Sequence, residues 1–438
     1  MDEFSLILRE IGSSAGRHGI DGRILVGLSG GADSVALLRG LCALRQERGF
    51  TLFAVYVNHG LRQAAAEEEI FCTELCRGLD VPLLIKRVRV SASGSLEAAA
   101  REARYQAFQE AMREAQADTL ALAHHSNDQA ETLLLHLMYG AGSDGLSGMR
   151  EYKVPVWRPL LSLPRETLRA ALRSLEQAWR EDESNADTAL TRNAIRAKLI
   201  PAMEKLYPQT VPALCRTAEI LGTESDYLRG QAERWLSEYA AHGAWHFLLL
   251  SPLRALHPAM QRRVVRRYGE DLSLPLEFRH VEALLALLAL PPGSRENLPE
   301  GWHALRARDR LHFLPPQAQR PELPQDALQA EPFTGKMGDG LLWQAVPTTL
   351  WKDAVLRTRQ PGDRIIPFGM RGSMKLKDYF ISKGVDQPFR NGWPLLCLGQ
   401  EVLWVIGIGA SERLRCQPAD AEKTLMIHYT GQLPDQVK

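Results

Sequence analysis

Residues 29–34 read Ser-Gly-Gly-Ala-Asp-Ser, and each residue type suits the holding of an anion. The two glycines let backbone N–H groups approach a ligand closely. Ser29 and Ser34 offer hydroxyl donors. Asp33 offers a carboxylate for a metal ion that accompanies the anion. The apolar run Ile24-Leu25-Val26 precedes the segment, and Val35, Leu37, Leu38 and Leu41 follow at helical spacing, so it reads as strand, tight loop and helix. A helix N-terminus behind the loop favours negative charge. Together these features point to a polyphosphate. The loop has no lysine and so does not match Gly-x-x-x-x-Gly-Lys-Ser/Thr.

A second constellation runs through His124, His125, Ser126, Asn127, Asp128, Gln129 and Glu131. Ser126 and Gln129 have the spacing of a capping box, which predicts a helix start there. Asp128 and Glu131 then share one helical face. Two carboxylates beside two histidines can bind Mg²⁺ or a cationic substrate; a solvated first turn is the alternative. Glu97, Arg101, Arg104 and Tyr105 fall on a further helix. Glu97 and Arg101 have the spacing of a surface salt bridge. Arg101 or Arg104, with Mg²⁺, can supply the counter-charge that the loop lacks. Trp179, Asp182, Ser184, Asn185, Asp187, Arg192, Asn193 and Arg196 form a last polar segment. It reads as an active-site flap or as a solvated connector, and composition alone favours the connector.

The elements that must position these residues alternate. Strands are expected over 23–28, 51–58, 81–90 and 119–123, and helices over 33–48, 64–77, 95–115 and 127–139. That alternation implies a parallel sheet covered by helices on both faces. Ligands bind beyond the carboxyl ends of such strands. Residues 29–34, Asn58-His59-Gly60 and residues 124–128 all fall there, so they can line one crevice. Residues 208–314 read as mainly helical. Residues 315–334, rich in Pro, Gln and Ala, read as a linker that a truncation could cut without crossing a packed core. Residues 335–438, with short β-like runs and Gly/Pro turns, fit a small α+β domain.

At 438 residues the chain exceeds what one core usually fills, so two or three domains are expected. The formal net charge of +1 confines any nucleic-acid surface to local patches. One candidate is 352–390, with nine Lys or Arg against four Asp. Tyr379 and Phe380 lie within it, either to stack on bases or to fill a core. Arg262, Arg263, Arg266 and Arg267 offer a second basic stripe. The six cysteines are scattered, and Cys72 and Cys76 read as packed thiols because no Cys-x-x-Cys pair is present. No signal peptide and no membrane span is expected, so the reading is cytoplasmic.

The loop 29–34 resembles the PP-loop of the N-type ATP pyrophosphatases, which cleave ATP to AMP and pyrophosphate. The wider pattern resembles the tRNA(Ile)-lysidine synthetase family. It rests on Asn58-His59, the run from Glu97 to Tyr105, the run from His125 to Thr132 and Gly145-Leu146-Ser147-Gly148-Met149. Arg158-Pro159-Leu160, the run from Trp179 to Arg196, the run from Arg357 to Arg364 and Lys375-Leu376-Lys377 continue it. The resemblance covers nearly the whole chain. It departs at Asn127, where the family often has Asp, and at Tyr139, where an Arg is common.

This resemblance implies an α/β fold: a parallel, doubly wound, Rossmann-like PP-loop domain (1–207), a helical tRNA-contacting domain (208–314), a linker (315–334) and an α+β tRNA-binding domain (335–438). It implies a ligase that adenylates the C2 carbonyl oxygen of the wobble cytidine and then lets the ε-amine of lysine displace AMP. Ser29, Gly30, Gly31, Ala32, Asp33, Ser34 and Arg104 would hold ATP, with Asp33 on Mg²⁺. Asp128, Glu131 and Arg196 would hold lysine, and Asp33, Asp128 and His125 would be catalytic. The attacking amine must be neutral, yet about one lysine in 2,500 is neutral at pH 7. His124, His125 and Asp128 are the bases in reach. The expected partners are tRNA(Ile) with a CAU anticodon, L-lysine and a second copy of the chain in a homodimer. The competing readings are a thiolase-type PP-loop enzyme, an amidotransferase-type synthetase and a non-catalytic tRNA-binding relative.

Overall fold

The computed structural model describes residues 2–58, 65–88, 96–181, 191–242, 246–316, 323–324, 326–335, 338–416, 422–431 and 433. They fall into two compact units, Met1–Asp226 and Tyr227–Lys438.

The first unit begins with α1 (Glu3–His18), capped by the Asp2 side chain. There follow β1 (Arg23–Gly27), α2 (Ala32–Arg48), β2 (Thr51–Asn58), α3 (Ala65–Gly78), β3 (Leu83–Arg87), α4 (Leu96–Ala115), β4 (Thr119–Ala121) and α5 (Ser126–Met138). A short α6 (Ser143–Leu146), the hairpin β5 (Tyr152–Lys153) and β6 (Val156–Trp157), and α7 (Arg165–Ser174) complete the sheet region. The sheet order is β3-β2-β1-β4-β6-β5, and only the β5–β6 pair is antiparallel. Every expected strand and helix of this region is present, with ends shifted by a few residues. The first helix had no counterpart in the sequence reading, since it carries no chemistry.

Apolar periodicity puts helices on both faces. Ile7 and Ile11 of α1, Val35 and Leu38 of α2, and Leu168 and Leu172 of α7 share one core with Ile24, Val26 and Trp157. Phe108 and Ala111 of α4 cover the other face, against Leu25, Val55 and Leu120. Gly40 sets the spacing of α1 and α2: a Cβ there would lie 2.6 Å from Ile11 Cδ1. The buried Trp157 indole donates to Ser14 Oγ at 2.8 Å, so the end of β6 is fixed against α1.

In the second unit the helices Pro258–Asp271 and Phe278–Leu287 pack on a five-stranded antiparallel sheet built from 240–314. That sheet adds to the helical reading. Its strands are two to five residues long, and Arg295–Asn297 has no apolar alternation. The stretch read as a linker contains the strand Leu328–Pro332, which pairs with Thr424–Tyr429. Tyr379 and Phe380 are core residues, 3% and 0% exposed. Arg357 of the basic segment pairs with the fully buried Asp363 carboxylate at 2.8 Å, so it braces a turn. Arg262 and Arg267 of the arginine stripe pair with Glu282 and with Glu233, Glu270 and Asp271.

The expectation that a cut near Gly335 would spare the core is overturned. Phe247 packs in one buried cluster with Ile365, Leu376, Phe380, Phe389 and Trp393. His312 and Arg310 reach the Asp386 carboxylate at 3.2 and 3.3 Å. Removing residues 335–438 is therefore expected to uncover Phe247 and Leu249 and to abolish cooperative unfolding of the remaining 227–334 segment. Calorimetry of the truncated chain checks this; an unfolding transition matching the full-length one would contradict the shared core.

Candidate active site

The loop between β1 and α2 is braced from three sides. Leu28 N donates to Val55 O at 2.9 Å, and Arg180 N donates to Gly30 O at 2.9 Å. Gly30 has φ +79°, a left-handed conformation that favours glycine. A Cβ at Gly30 would lie 3.4 Å from Cys72 Sγ and from Phe71 on α3. The Arg180 guanidinium lies over the Phe71 ring at 5.6 Å. Ser34 Oγ accepts from Ser29 N at 3.1 Å and donates to Gly31 O at 2.9 Å. The serines thus hold the loop's shape. Gly31 is the N-cap of α2 and has no side chain to cap it, which leaves the first-turn N–H groups available to an anion.

Asp33 and the start of α5 meet across the edge of the sheet. His125 Nε2 lies 3.5 Å from Asp33 Oδ2, and His125 Nδ1 lies 3.4 Å from Asp128 Oδ2. The capping box is one residue earlier than the sequence predicts. His125 is the N-cap: its Nδ1 accepts from Asp128 N at 3.3 Å, and Asp128 Oδ2 accepts from His125 N at 3.0 Å. The imidazole reaches the N–H that a serine oxygen usually takes, and Ser126 becomes the first helical residue. Gln129, released from capping, accepts from Met149 N at 2.7 Å and donates to Met149 O at 3.1 Å. The Gly-Leu-Ser-Gly-Met motif therefore buttresses α5. Gly148 has φ +63°, and a Cβ there would lie 2.7 Å from Gln129 Oε1. Asn127 Oδ1 accepts from Arg165 N at 3.1 Å and so caps α7; the departure at this position bears on packing.

Behind Asp128 lies Glu131, its side chain 1% exposed. Arg196 Nε donates to Glu131 Oε1 at 2.6 Å, and Arg196 Nη2 lies 3.3 Å from Asp128 Oδ1. Arg192 Nε donates to Glu131 Oε2 at 3.0 Å. Both arginines come from the segment that composition read as a connector. Arg196 sits in a π-helical turn, Ile195–Leu199, and such turns re-aim side chains. Ile195 and Ile200 bury against Ala130 and Leu134 of α5, which fixes the arginines over the acids.

Titration follows from this layout. Burial alone would lower the His125 pKa, but the Asp33 hydrogen bond and the charges of Asp128, Asp33 and Glu131 outweigh it and raise it. Burial alone would raise Asp128; the charges of His125, His124 and Arg192 outweigh that and hold it below the usual carboxylate range. Burial pushes His124 down to about 4; Asp128 opposes this, and Arg158, Arg192 and Arg101 add to the fall. His124 is therefore neutral at pH 7, and its buried Nδ1 has no partner.

Asp33 Oδ1 is also buried without a partner. Among the described residues no three His, Cys, Asp or Glu side chains gather for a metal ion. A single orphan carboxylate oxygen beside a phosphate loop still fits Mg²⁺, which takes one or two carboxylates and completes its shell with phosphates and water. Arg104 is an exposed residue of α4. His59 and Gly60, the Glu97 side chain, Asp182, Ser184, Asn185 and Asp187 lie outside the described residues. Sequence reasoning missed Arg180 and Phe71, and it placed Arg158 in the Arg-Pro-Leu run without giving it a role; no local spacing marks them.

The imidazole–carboxylate series has a spectroscopic consequence. Either Asp33→Asn or Asp128→Asn removes a negative charge that favours the imidazolium, so each variant is expected to lower the His125 pKa. The proton-linked stability of His125, present below its unfolded pKa, is lost as pH rises through the folded pKa. That loss moves to lower pH in both variants. NMR titration of the His125 ring checks the direction; an unmoved pKa in both would show that the carboxylates do not act on it.

Three family models match in chain order. The PP-loop domain matches residues 11–203, the TilS substrate binding domain 248–312 and the TilS substrate C-terminal domain 354–427. The tRNA(Ile)-lysidine synthase of Caldanaerobacter subterraneus subsp. tengcongensis is 31% identical over 440 residues, 94% of this chain and 94% of that protein. That of Geobacter sulfurreducens is 34% identical over 445 residues, 93% of this chain and 94% of that protein. That of Porphyromonas gingivalis strain W83 is 33% identical over 461 residues, 93% of this chain and 95% of that protein. With the phosphate loop, the acid–arginine pocket and all three domains in register, this chain belongs to the tRNA(Ile)-lysidine synthase family.

Proposed function

We propose that this chain joins L-lysine to C2 of the wobble cytidine of an isoleucine tRNA with a CAU anticodon, at the cost of ATP. The observation that carries this reading is the unbroken series Asp33–His125–Asp128–Arg196–Glu131, which links a phosphate loop to a pocket of two acids and two arginines. A free amino acid is a zwitterion. Asp128 and Glu131 suit its ammonium groups, and Arg192 and Arg196 suit its carboxylate. Without ligand these four side chains neutralise one another, and a zwitterion can exchange into the same pairs.

The first step forms a bond between the cytidine O2 and the α-phosphorus and breaks the bond to pyrophosphate. The loop N–H groups of α2, with the Ser29 hydroxyl, hold the charge of the leaving pyrophosphate, and Ser34 holds the loop that presents them. Asp33 would hold Mg²⁺, which would supply further positive charge there. In the second step the lysine Nε attacks C2, O2 leaves with AMP, and Nε loses a proton. The described residues give Nε a pocket whose acids can orient it, and the neutral His124 keeps one unprotonated ring nitrogen that can accept a proton. His125, held between Asp33 and Asp128, positions both carboxylates.

Residues 1–207 form the catalytic domain of this reading. Residues 208–314 and 335–438 would contact the tRNA, with phosphate contacts on the basic segment 352–390. The same reading places the enzyme in the cytoplasm and expects a homodimer. No described helix is long and apolar enough to cross a membrane. The thiolase alternative needs reactive thiols, whereas burial pushes the Cys72 and Cys76 thiols up to about 12.

The test mixes the protein with ATP, labelled lysine and the CAU-anticodon tRNA. Lysine is expected to enter the tRNA with release of AMP; cleavage of ATP only with another acceptor would defeat the proposal. Asp33→Ala is expected to abolish ATP cleavage while tRNA binding persists, and near-normal turnover would remove Asp33 from the mechanism. Asp128→Asn is expected to raise the lysine KM about tenfold or more, since a charge-assisted hydrogen bond contributes roughly 1.5–3 kcal/mol. Lost adenylation with an unchanged lysine KM would move Asp128 to the metal.

A further inference from the structure

Arg158 follows β6 directly, at the same carboxyl edge of the sheet as the phosphate loop. It is half-buried, its Nε–H is fully buried without a partner, and its Nη1 donates to Arg150 O at 3.0 Å. Among the described residues no carboxylate pairs with it. Its near neighbours are Tyr105, whose hydroxyl it meets, and a second cation, Arg101. Arg101 lies over the Tyr105 ring at 5.1 Å and donates to the Tyr105 hydroxyl at 3.4 Å. His124, three residues past the end of β4, brings a further unpartnered buried nitrogen, Nδ1, into the field of these guanidiniums.

A half-buried cation held beside another cation, with no carboxylate among the described residues paired to either, is unfavourable unless an anion completes the site. Arg158 Nε and His124 Nδ1 are two buried nitrogens that such an anion would satisfy. β1, β4 and β6 are neighbours in the sheet, so the tips of β4 and β6 stand about 5 and 10 Å along from the phosphate loop. The pocket of Asp128 and Glu131 already supplies arginines for a carboxylate.

We propose that Arg158, with Arg101, Tyr105 and His124, forms a second phosphate site, separate from the phosphate loop. Resting on the adenylation reading above, the phosphate is the one that stays with adenosine and becomes AMP. A backbone phosphate of the tRNA beside the wobble cytidine has the same chemistry and is the other source. Arg158 and Arg101 supply charge, and the neutral His124 supplies one ring N–H. The division of labour is physical: the loop keeps pyrophosphate, and the second site keeps the phosphate that is transferred to cytidine and later released.

The experiment titrates AMP and pyrophosphate separately into the full-length protein, without lysine or tRNA, for wild type, Arg158→Met and Arg158→Lys. In Arg158→Met the AMP affinity is expected to fall about tenfold or more, as loss of a charge-assisted hydrogen bond predicts, with pyrophosphate affinity within about twofold of wild type. Arg158→Lys keeps the charge and is expected to recover part of the loss, which separates ligand binding from misfolding. Unchanged AMP affinity with weaker tRNA binding, and a salt slope reduced by about 0.7–0.9, would assign the same site to a tRNA phosphate. Unchanged AMP and tRNA binding in a variant with the wild-type melting midpoint, or a change confined to the lysine KM, would overturn the proposal. Wild-type protein that binds neither AMP nor pyrophosphate would instead contradict the ATP-dependent function itself.

Discussion

A carboxylate as deeply buried as Glu131 cannot stand alone, and much of the site follows from that constraint. An isolated charge in such a place costs several kcal/mol, and only close, well-aligned opposite charges offset it. Arg192 and Arg196 provide them, from a segment more than 60 residues later in the chain. Their placement requires that 191–206 lie along α5, and the apolar contacts of Ile195 and Ile200 hold it there. Asp128 shares the same guanidiniums and is tied through His125 to Asp33. One buried charge thereby connects the amino-acid pocket to the phosphate loop.

The fold makes this economical because the parallel sheet presents its strand ends on one edge. β1 delivers the loop, β4 the two histidines and β6 Arg158, each at the end of a strand fixed by core packing. Rigidity comes from behind. Phe71 and Cys72 back Gly30, Gln129 clamps the turn at Gly148, Asn127 caps α7 and Trp157 anchors to Ser14. Several motif residues that look chemical therefore act by holding their neighbours. Gln129 and Asn127 are the clearest cases: each satisfies backbone groups and leaves Asp128 and Glu131 to face the ligand.

The legible parts of the sequence were those with a period or a punctuation mark. The glycines at 30 and 31 between an apolar run and a helical pattern announced strand, loop and helix. The three-residue spacing of Asp128 and Glu131 announced a shared face. His125 was read as a base rather than a cap because serine is the usual N-cap and Ser126 stands next to it. Arg192 and Arg196 looked like parts of a connector, since their acids lie far away in sequence. Arg158 stood in the Arg-Pro-Leu run that carries the resemblance, but no spacing gave it a role: it follows a two-residue strand, and only the folded chain shows that no carboxylate among the described residues pairs with it. The sheet within 240–314 and the strand at 328–332 were hidden for a related reason. Their strands are short, and Leu328–Pro332 is mostly exposed, so no apolar alternation marks it.

The central claim is that the cytidine oxygen is activated by transfer to the α-phosphorus and leaves with AMP. An isotope experiment reads this directly. The CAU-anticodon tRNA is prepared with oxygen-18 at O2 of the wobble cytidine, and the products of a complete reaction with ATP and lysine are separated by mass spectrometry. The account predicts that the label appears in the phosphate of AMP and is lost from the tRNA. Label retained in the tRNA, with unlabelled AMP, would contradict it.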